Sequence, residues 1–178
     1  MTQDTHTSAN QSRNSAESPE DHAKHVERVW DLADKIGICM LVTWDGERQR
    51  ARPLAANVRK DEQAIYFLTD VRGQKDDQIE RFPTVTLAFA DNGGSKYVTI
   101  TGQAAVSNDR SKIKELWSPF AKAWWDSPEE PSIRVLTITP EDAEIWESPG
   151  ALLSTVSMVA AAVTGSRPPG MDNAKVVL

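Results

Sequence analysis

The chain has 178 residues, 39% hydrophobic and 26% charged, which suffices for one folded domain with its own core. Its 20 Lys and Arg against 26 Asp and Glu leave a net charge of −6, which argues against general nucleic-acid binding but leaves room for a local basic pocket. One cysteine, Cys39, excludes an internal disulfide, no apolar run approaches membrane length, and a cytoplasmic protein that binds no membrane is expected.

Residues 1–20 are rich in Ser, Thr, Asn and Gln and read as a disordered leader without the apolar core of a secretion signal. A single domain over 21–178 is expected to follow. From His22 to Lys35, Val26, Val29, Trp30 and Ala33 recur at helical spacing, and Gly37 ends the pattern. Ile38 to Trp44 is an apolar run of strand length, Asp45-Gly46 is a hairpin signal, and Arg50 to Val58 reads as the returning strand. Ala64 to Thr69 is a third strand. Val71, Lys75, Ile79 and Phe82 then share a helical face that Pro83 closes.

Val85 to Ala90 and Tyr97 to Val106 are strands separated by the Asn92-Gly93-Gly94 turn. Asn108 and Asp109 are candidate caps for a helix through Trp117, and an aromatic-rich stretch from Pro119 to Trp125 follows. Ile133 to Thr139 and Ala143 to Trp146 read as two last strands, Ala151 to Thr164 as an amphipathic helix, and Lys175 to Leu178 as a short apolar end. The sum is a mainly β (α+β) protein: a six- to seven-stranded antiparallel sheet curled into a split β-barrel with flanking helices.

Two segments could hold a phosphate. In Phe67-Leu68-Thr69-Asp70-Val71-Arg72-Gly73-Gln74-Lys75 a strand end runs into a helix start, where free backbone N–H groups, the Thr69 hydroxyl and Lys75 would attract an anion. Lys75 as a solvated helix-face residue and Thr69 as a simple cap is the alternative. In Arg50-Ala51-Arg52-Pro53-Leu54-Ala55 the proline holds Arg52 extended, and alternation puts Arg52 and Leu54 on one face. Arg52 is then either a bidentate phosphate ligand or a surface residue of an edge strand.

Trp117, Trp124, Trp125 and Trp146 could line a ring-binding pocket, an interface or simply the core. Cys39 reads as an inert buried thiol. His6, His22 and His25 lack further ligands for a metal, and no nucleophile or acid–base constellation identifies catalytic residues.

The segments Ala51-Arg52-Pro53-Leu54-Ala55, Tyr66-Phe67-Leu68-Thr69-Asp70, Gln74-Lys75, Tyr97-Val98-Thr99-Ile100-Thr101-Gly102-Gln103-Ala104 and Ala143-Glu144-Ile145-Trp146-Glu147 occur in an order that resembles the pyridoxamine 5′-phosphate oxidase-like split-barrel family. Glu115-Leu116-Trp117 and Lys175-Val176-Val177-Leu178 are similar to its general stress protein 26 branch, and the resemblance spans roughly Asp21 to Leu178. It implies FMN bound at a homodimer interface. Arg52 would meet the phosphate or ribityl chain, and Pro53 and Leu54 the isoalloxazine. Leu68, Thr69 and Asp70 would lie near the flavin, and Gln74 and Lys75 would hold the phosphate. Tyr97 and Val98 would meet the flavin edge, while Trp117 and Trp146 would sit close to its ring, Trp146 from the other subunit.

One departure stands out. Ser148-Pro149-Gly150 replaces the Arg-x-His substrate motif of the vitamin B6 oxidases, so true pyridoxamine-phosphate oxidation is not expected. The resemblance therefore implies an FMN-dependent oxidoreductase with a stress-related role, acting on a small molecule or a nicotinamide donor. A non-catalytic flavin store or sensor and a deazaflavin-binding reductase are the alternatives. The absence of a barrel histidine disfavours haem.

Overall fold

The structure is a computed structural model that describes residues 18–71, 75–148 and 172–178, the side chains of Lys75 and Asp172 excepted. The first helix, α1 (Pro19–Ile36), begins three residues before His22 because Ser18 caps it: the hydroxyl accepts the Asp21 N–H at 3.1 Å, and Pro19 opens the first turn. Gly37, at φ 69°, ends it in the left-handed conformation. The expected stripe is buried through Val29, Trp30 and Ala33, with Leu32 added.

The strands are β1 (Ile38–Trp44), β2 (Gln49–Ala55), β3 (Asn57–Arg59), β4 (Ala64–Asp70), β5 (Thr84–Asp91), β6 (Lys96–Ser107), β7 (Ile133–Glu147) and β8 (Asp172–Val177). Among the described residues they form one sheet in the order β2-β1-β5-β6-β7-β4-β3, with β8 added beside β7 and every pairing antiparallel. The two edge strands, β2 and β3, are separated in sequence by Ala56 alone. A sheet whose opposite edges are joined by one residue must curl to bring those edges close together at that residue, although β2 and β3 do not pair. The result is the expected half-barrel with flanking helices.

The strand inventory differs from expectation in three places. The returning strand breaks at Ala56, whose N–H donates to the Gly37 carbonyl instead of to a ladder. The two last strands are one, β7, running straight through Pro140. Its register against β6 passes from Thr101↔Asp142 to Gly102↔Pro140, leaving Glu141 as a bulge. On its other edge β7 pairs first with β4 and then, after that bulge, with β8. The apolar chain end is thus a strand.

The inner face of the sheet packs on α1 around Leu41, Phe67, Leu87 and Ile100. A second cluster lies on the other face of β4 and β7, where Tyr66, Ile133 and Val135 meet Ile113 and Leu116. The helix carrying Ile113, α3 (Arg110–Glu115), is capped by Asp109, which accepts from Ser111 and Lys112, and it stops short of Trp117. Strand β4 is therefore covered on both faces. Between β4 and β5 lies α2 (Lys75–Arg81), anchored in the main core by Ile79. Residues 1–17 of the leader expected over 1–20, and the helix expected at Ala151 to Thr164, lie outside the described residues, while Ser18, Pro19 and Glu20 cap and open α1 instead of belonging to a leader. No helix among the described residues is long and apolar enough to cross a membrane.

Candidate functional site

A cavity of about 740 Å³ opens where β2, the end of β4, α2 and the segment after α3 converge. That volume falls within the ~300–1,000 Å³ usual for small-molecule sites. One wall is Arg50, Arg52, Pro53, Leu54 and Ala55 of β2, and a second is Leu68, Thr69 and Asp70 of β4. A further part of the lining is aromatic: Phe120, Trp124 and Trp125, which flank a single 3-10 turn at Ala121–Ala123. Phe120 and Trp124 are 57% and 69% exposed, an uncommon state for large aromatics unless something stacks on them.

Arg52 lies in β2 opposite Leu41 of β1 and reaches along the sheet to Thr43 and Gln78. Its Nη2 donates to Thr43 Oγ1 at 3.1 Å and to Gln78 Oε1 at 3.0 Å, and the Thr43 hydroxyl donates to Gln78 Oε1 at 2.9 Å. Nη1 is buried without a partner, and so is the hydroxyl of Thr69, a residue only 4% exposed. Burial, followed by the nearby charge of Arg50, pushes the Arg52 guanidinium below its ordinary pKa. Arg50 is itself neutralised by Asp45 Oδ2 at 2.6 Å. Two buried donors without acceptors, one cationic, on the wall of one cavity suit an anion with several oxygens such as phosphate.

Six expected site residues come together on this cavity: Arg52, Pro53, Leu54, Leu68, Thr69 and Asp70. Gln74 and the side chain of Lys75 lie outside the described residues. Four others do not line the cavity of their own chain. Val98 is fully buried in the main core. Trp117 packs against the cluster under α3. Tyr97 and Trp146 face each other across β6 and β7, away from the cavity, half-buried.

Of the aromatic candidates, Trp124 and Trp125 line this cavity and Trp117 does not. Thr43 and Gln78 carried no local signal at all. They meet Arg52 only because α2 docks beside β1. Cys39 is a buried thiol, its pKa pushed up to about 12 by desolvation, as the apolar strand context suggested. No cluster of metal-ligating side chains is present among the described residues.

The family described as pyridoxamine 5′-phosphate oxidase like matches residues 24–169 of the chain. General stress protein 26 of Bacillus subtilis is 25% identical over 125 residues, 68% of this chain and 88% of that protein. Among solved structures, a general stress protein 26 from Jannaschia sp. CCS1 is similar with a TM-score of 0.70 at 25% identity, covering 88% of this chain and 99% of that one. The general stress FMN/FAD binding protein of Xanthomonas citri is similar with a TM-score of 0.63 at 26% identity, covering 71% and 91%.

Proposed function

The chain belongs to the pyridoxamine 5′-phosphate oxidase-like family, and we propose that it binds FMN in the cavity between β2 and β4 and works as a flavin-dependent oxidoreductase with a stress-related role. The observation that carries this reading is the pair of buried, unpartnered donors, Arg52 Nη1 and Thr69 Oγ1, contributed by two strands to one cavity that is also lined by aromatic side chains. Arg52 and Thr69 would hold the phosphate. Pro53 and Leu54 would pack on the ring system, with Trp124 and Phe120 across from them. The FMN/FAD binding described for the Xanthomonas citri relative supports the same ligand class.

When bound, FMN supplies the capacity to carry hydride, which no side chain lining this cavity has. The chain contributes position and electrostatics: a cationic end that fixes the phosphate, an apolar β2 edge, and an aromatic wall that shields the site from water on one side. Ionisable side chains lining the cavity among the described residues are limited to Arg50, Arg52 and Asp70. That scarcity of acid–base groups favours a second reading, a flavin store or sensor without turnover. A steady-state assay with a nicotinamide donor separates the two.

The reading extends to a homodimer. Alternation along β1 turns Ile38, Met40 and Trp44 outward, 57%, 39% and 39% exposed, and the pairing Met40↔Ala88 continues this apolar face onto β5. The same face runs through Ala90↔Tyr97 to Tyr97↔Trp146. A second copy seated there would cover the apolar stripe and bring Tyr97 and Trp146 of one chain toward the site of the other.

The test is a visible absorption spectrum of the purified protein, with the released chromophore identified by mass. Flavin bands and the mass of FMN are expected; the mass of a deazaflavin would redirect the cofactor assignment. A colourless protein that also fails to bind added FMN overturns the reading.

A further inference from the structure

The guanidinium of Arg52 is held by an unusual set of partners. Its Nη2 carries two hydrogens, and both are used: one by Thr43 Oγ1, one by Gln78 Oε1. The Thr43 hydroxyl hydrogen also goes to Gln78 Oε1, so that amide oxygen accepts two bonds and its orientation follows from the donors around it. Thr43 is 2% exposed, which leaves its hydroxyl little freedom to choose another partner. Both acceptors are neutral. Buried arginines normally sit against a carboxylate, because an unpaired buried charge is expensive. The guanidinium is instead fixed in place with its charge unspent and Nη1 without a partner.

We propose that Gln78, together with Thr43, is a positioning pair that holds Arg52 without neutralising it, and that this neutral cradle sets the site's preference for a phosphorylated flavin over its unphosphorylated counterpart. The inference rests on the FMN reading for the identity of the ligand, but the cradle itself selects for the anion. A carboxylate at position 78 would accept the same hydrogen bonds, yet it would cancel the field that attracts a phosphate. A neutral ligand would notice little. Selectivity then comes from an acceptor that touches no ligand.

The experiment is a binding titration of the flavin-free protein with FMN, riboflavin and inorganic phosphate, in the parent and in Gln78→Glu. The parent is expected to prefer FMN, and phosphate to raise its melting temperature. In Gln78→Glu the FMN affinity should fall about tenfold or more, riboflavin affinity should change by less than about threefold, and phosphate protection should vanish. If Gln78→Glu does not fold, Gln78→Leu serves: it removes the acceptor without adding charge, frees the guanidinium, and should again weaken FMN selectively. Equal losses for FMN and riboflavin, or no loss for either, overturn the cradle. If the parent binds neither flavin the cofactor reading falls, while loss of phosphate protection in Gln78→Glu still supports the cradle and its persistence still overturns it.

Discussion

Arg28 on α1 and Glu147 at the end of β7 form a two-pronged ion pair: Nε donates to Oε2 at 2.9 Å and Nη2 to Oε1 at 2.6 Å. Lys96 of β6 approaches the same carboxylate at 3.4 Å. These contacts tie the helix that plugs the half-barrel to the strand that organises it. The Arg28 hydrogen bond is the main reason the Glu147 carboxyl titrates below its ordinary range. A carboxyl with a depressed folded pKa stabilises fully above its unfolded value, and the contribution disappears as pH falls through the folded one. Both side chains are about a third exposed, which limits the gain. Arg28→Ala should therefore cost about 1 kcal/mol near neutrality and progressively less in acid. Urea unfolding of parent and variant at neutral and at acidic pH checks this; a deficit independent of pH would assign it to lost packing instead.

Gly102 sits where β6 and β7 change register. A Cβ added there would collide with the Thr139 carbonyl oxygen and stand 2.9 Å from Pro140 Cα. Both obstacles are backbone, so the strands themselves would have to separate at the Glu141 bulge. Gly102→Ala is expected to destabilise by about 1–3 kcal/mol, the range of overpacking in a closed site. Thermal denaturation measures it, and an unchanged midpoint would mean the bulge yields freely.

That bulge also marks where sequence reasoning stops. The Asp45-Gly46 hairpin was readable because its causes are local: the Asp45 carboxylate accepts from the Glu47 and Arg48 N–H groups, and Gly46 takes φ 102°. Pro140-Glu141-Asp142 carries equally plausible local turn signals, yet β6 runs alongside without interruption and carries β7 through them. The site divides the same way. Arg52 and Thr69 could be found from their positions at a proline-stiffened strand and a strand end. Thr43 and Gln78 could not, because only the docking of α2 beside β1 brings an unremarkable threonine and glutamine to the guanidinium. The aromatic density around Trp117, Trp124 and Trp125 was visible, but which of them faces the cavity depends on one 3-10 turn.

Thr69 tests the unpartnered donors with two opposite signs. Its hydroxyl is buried and makes no hydrogen bond within the chain. Thr69→Val removes that unsatisfied group at nearly constant shape, so the ligand-free protein should become more stable by about 1 kcal/mol. If Thr69 donates to the phosphate as proposed, the same change deletes that donor, and FMN affinity should fall by about a factor of ten. Melting curves without ligand and a flavin fluorescence titration supply the two readings. A loss of both stability and affinity would recast Thr69 as a packing residue.

Met40 lies at the centre of the exposed β1 face, between Pro53 of β2 and Ala88 of β5. Its side chain projects away from the core, as the alternating burial of β1 requires. A charge placed there costs a monomer almost nothing, since exposed positions tolerate substitution within about 0.5 kcal/mol. Buried between two copies, the same charge would lose its hydration without gaining a partner, at a cost of several kcal/mol. Met40→Glu is accordingly expected to leave the circular dichroism spectrum intact while shifting the sedimentation coefficient from dimer to monomer. If Tyr97 and Trp146 complete the site of the facing copy, the monomer should also bind FMN at least about tenfold more weakly, although position 40 does not line the cavity. A monomeric variant that retains full FMN affinity would separate the dimer from the site and leave the cavity of one chain sufficient for the cofactor.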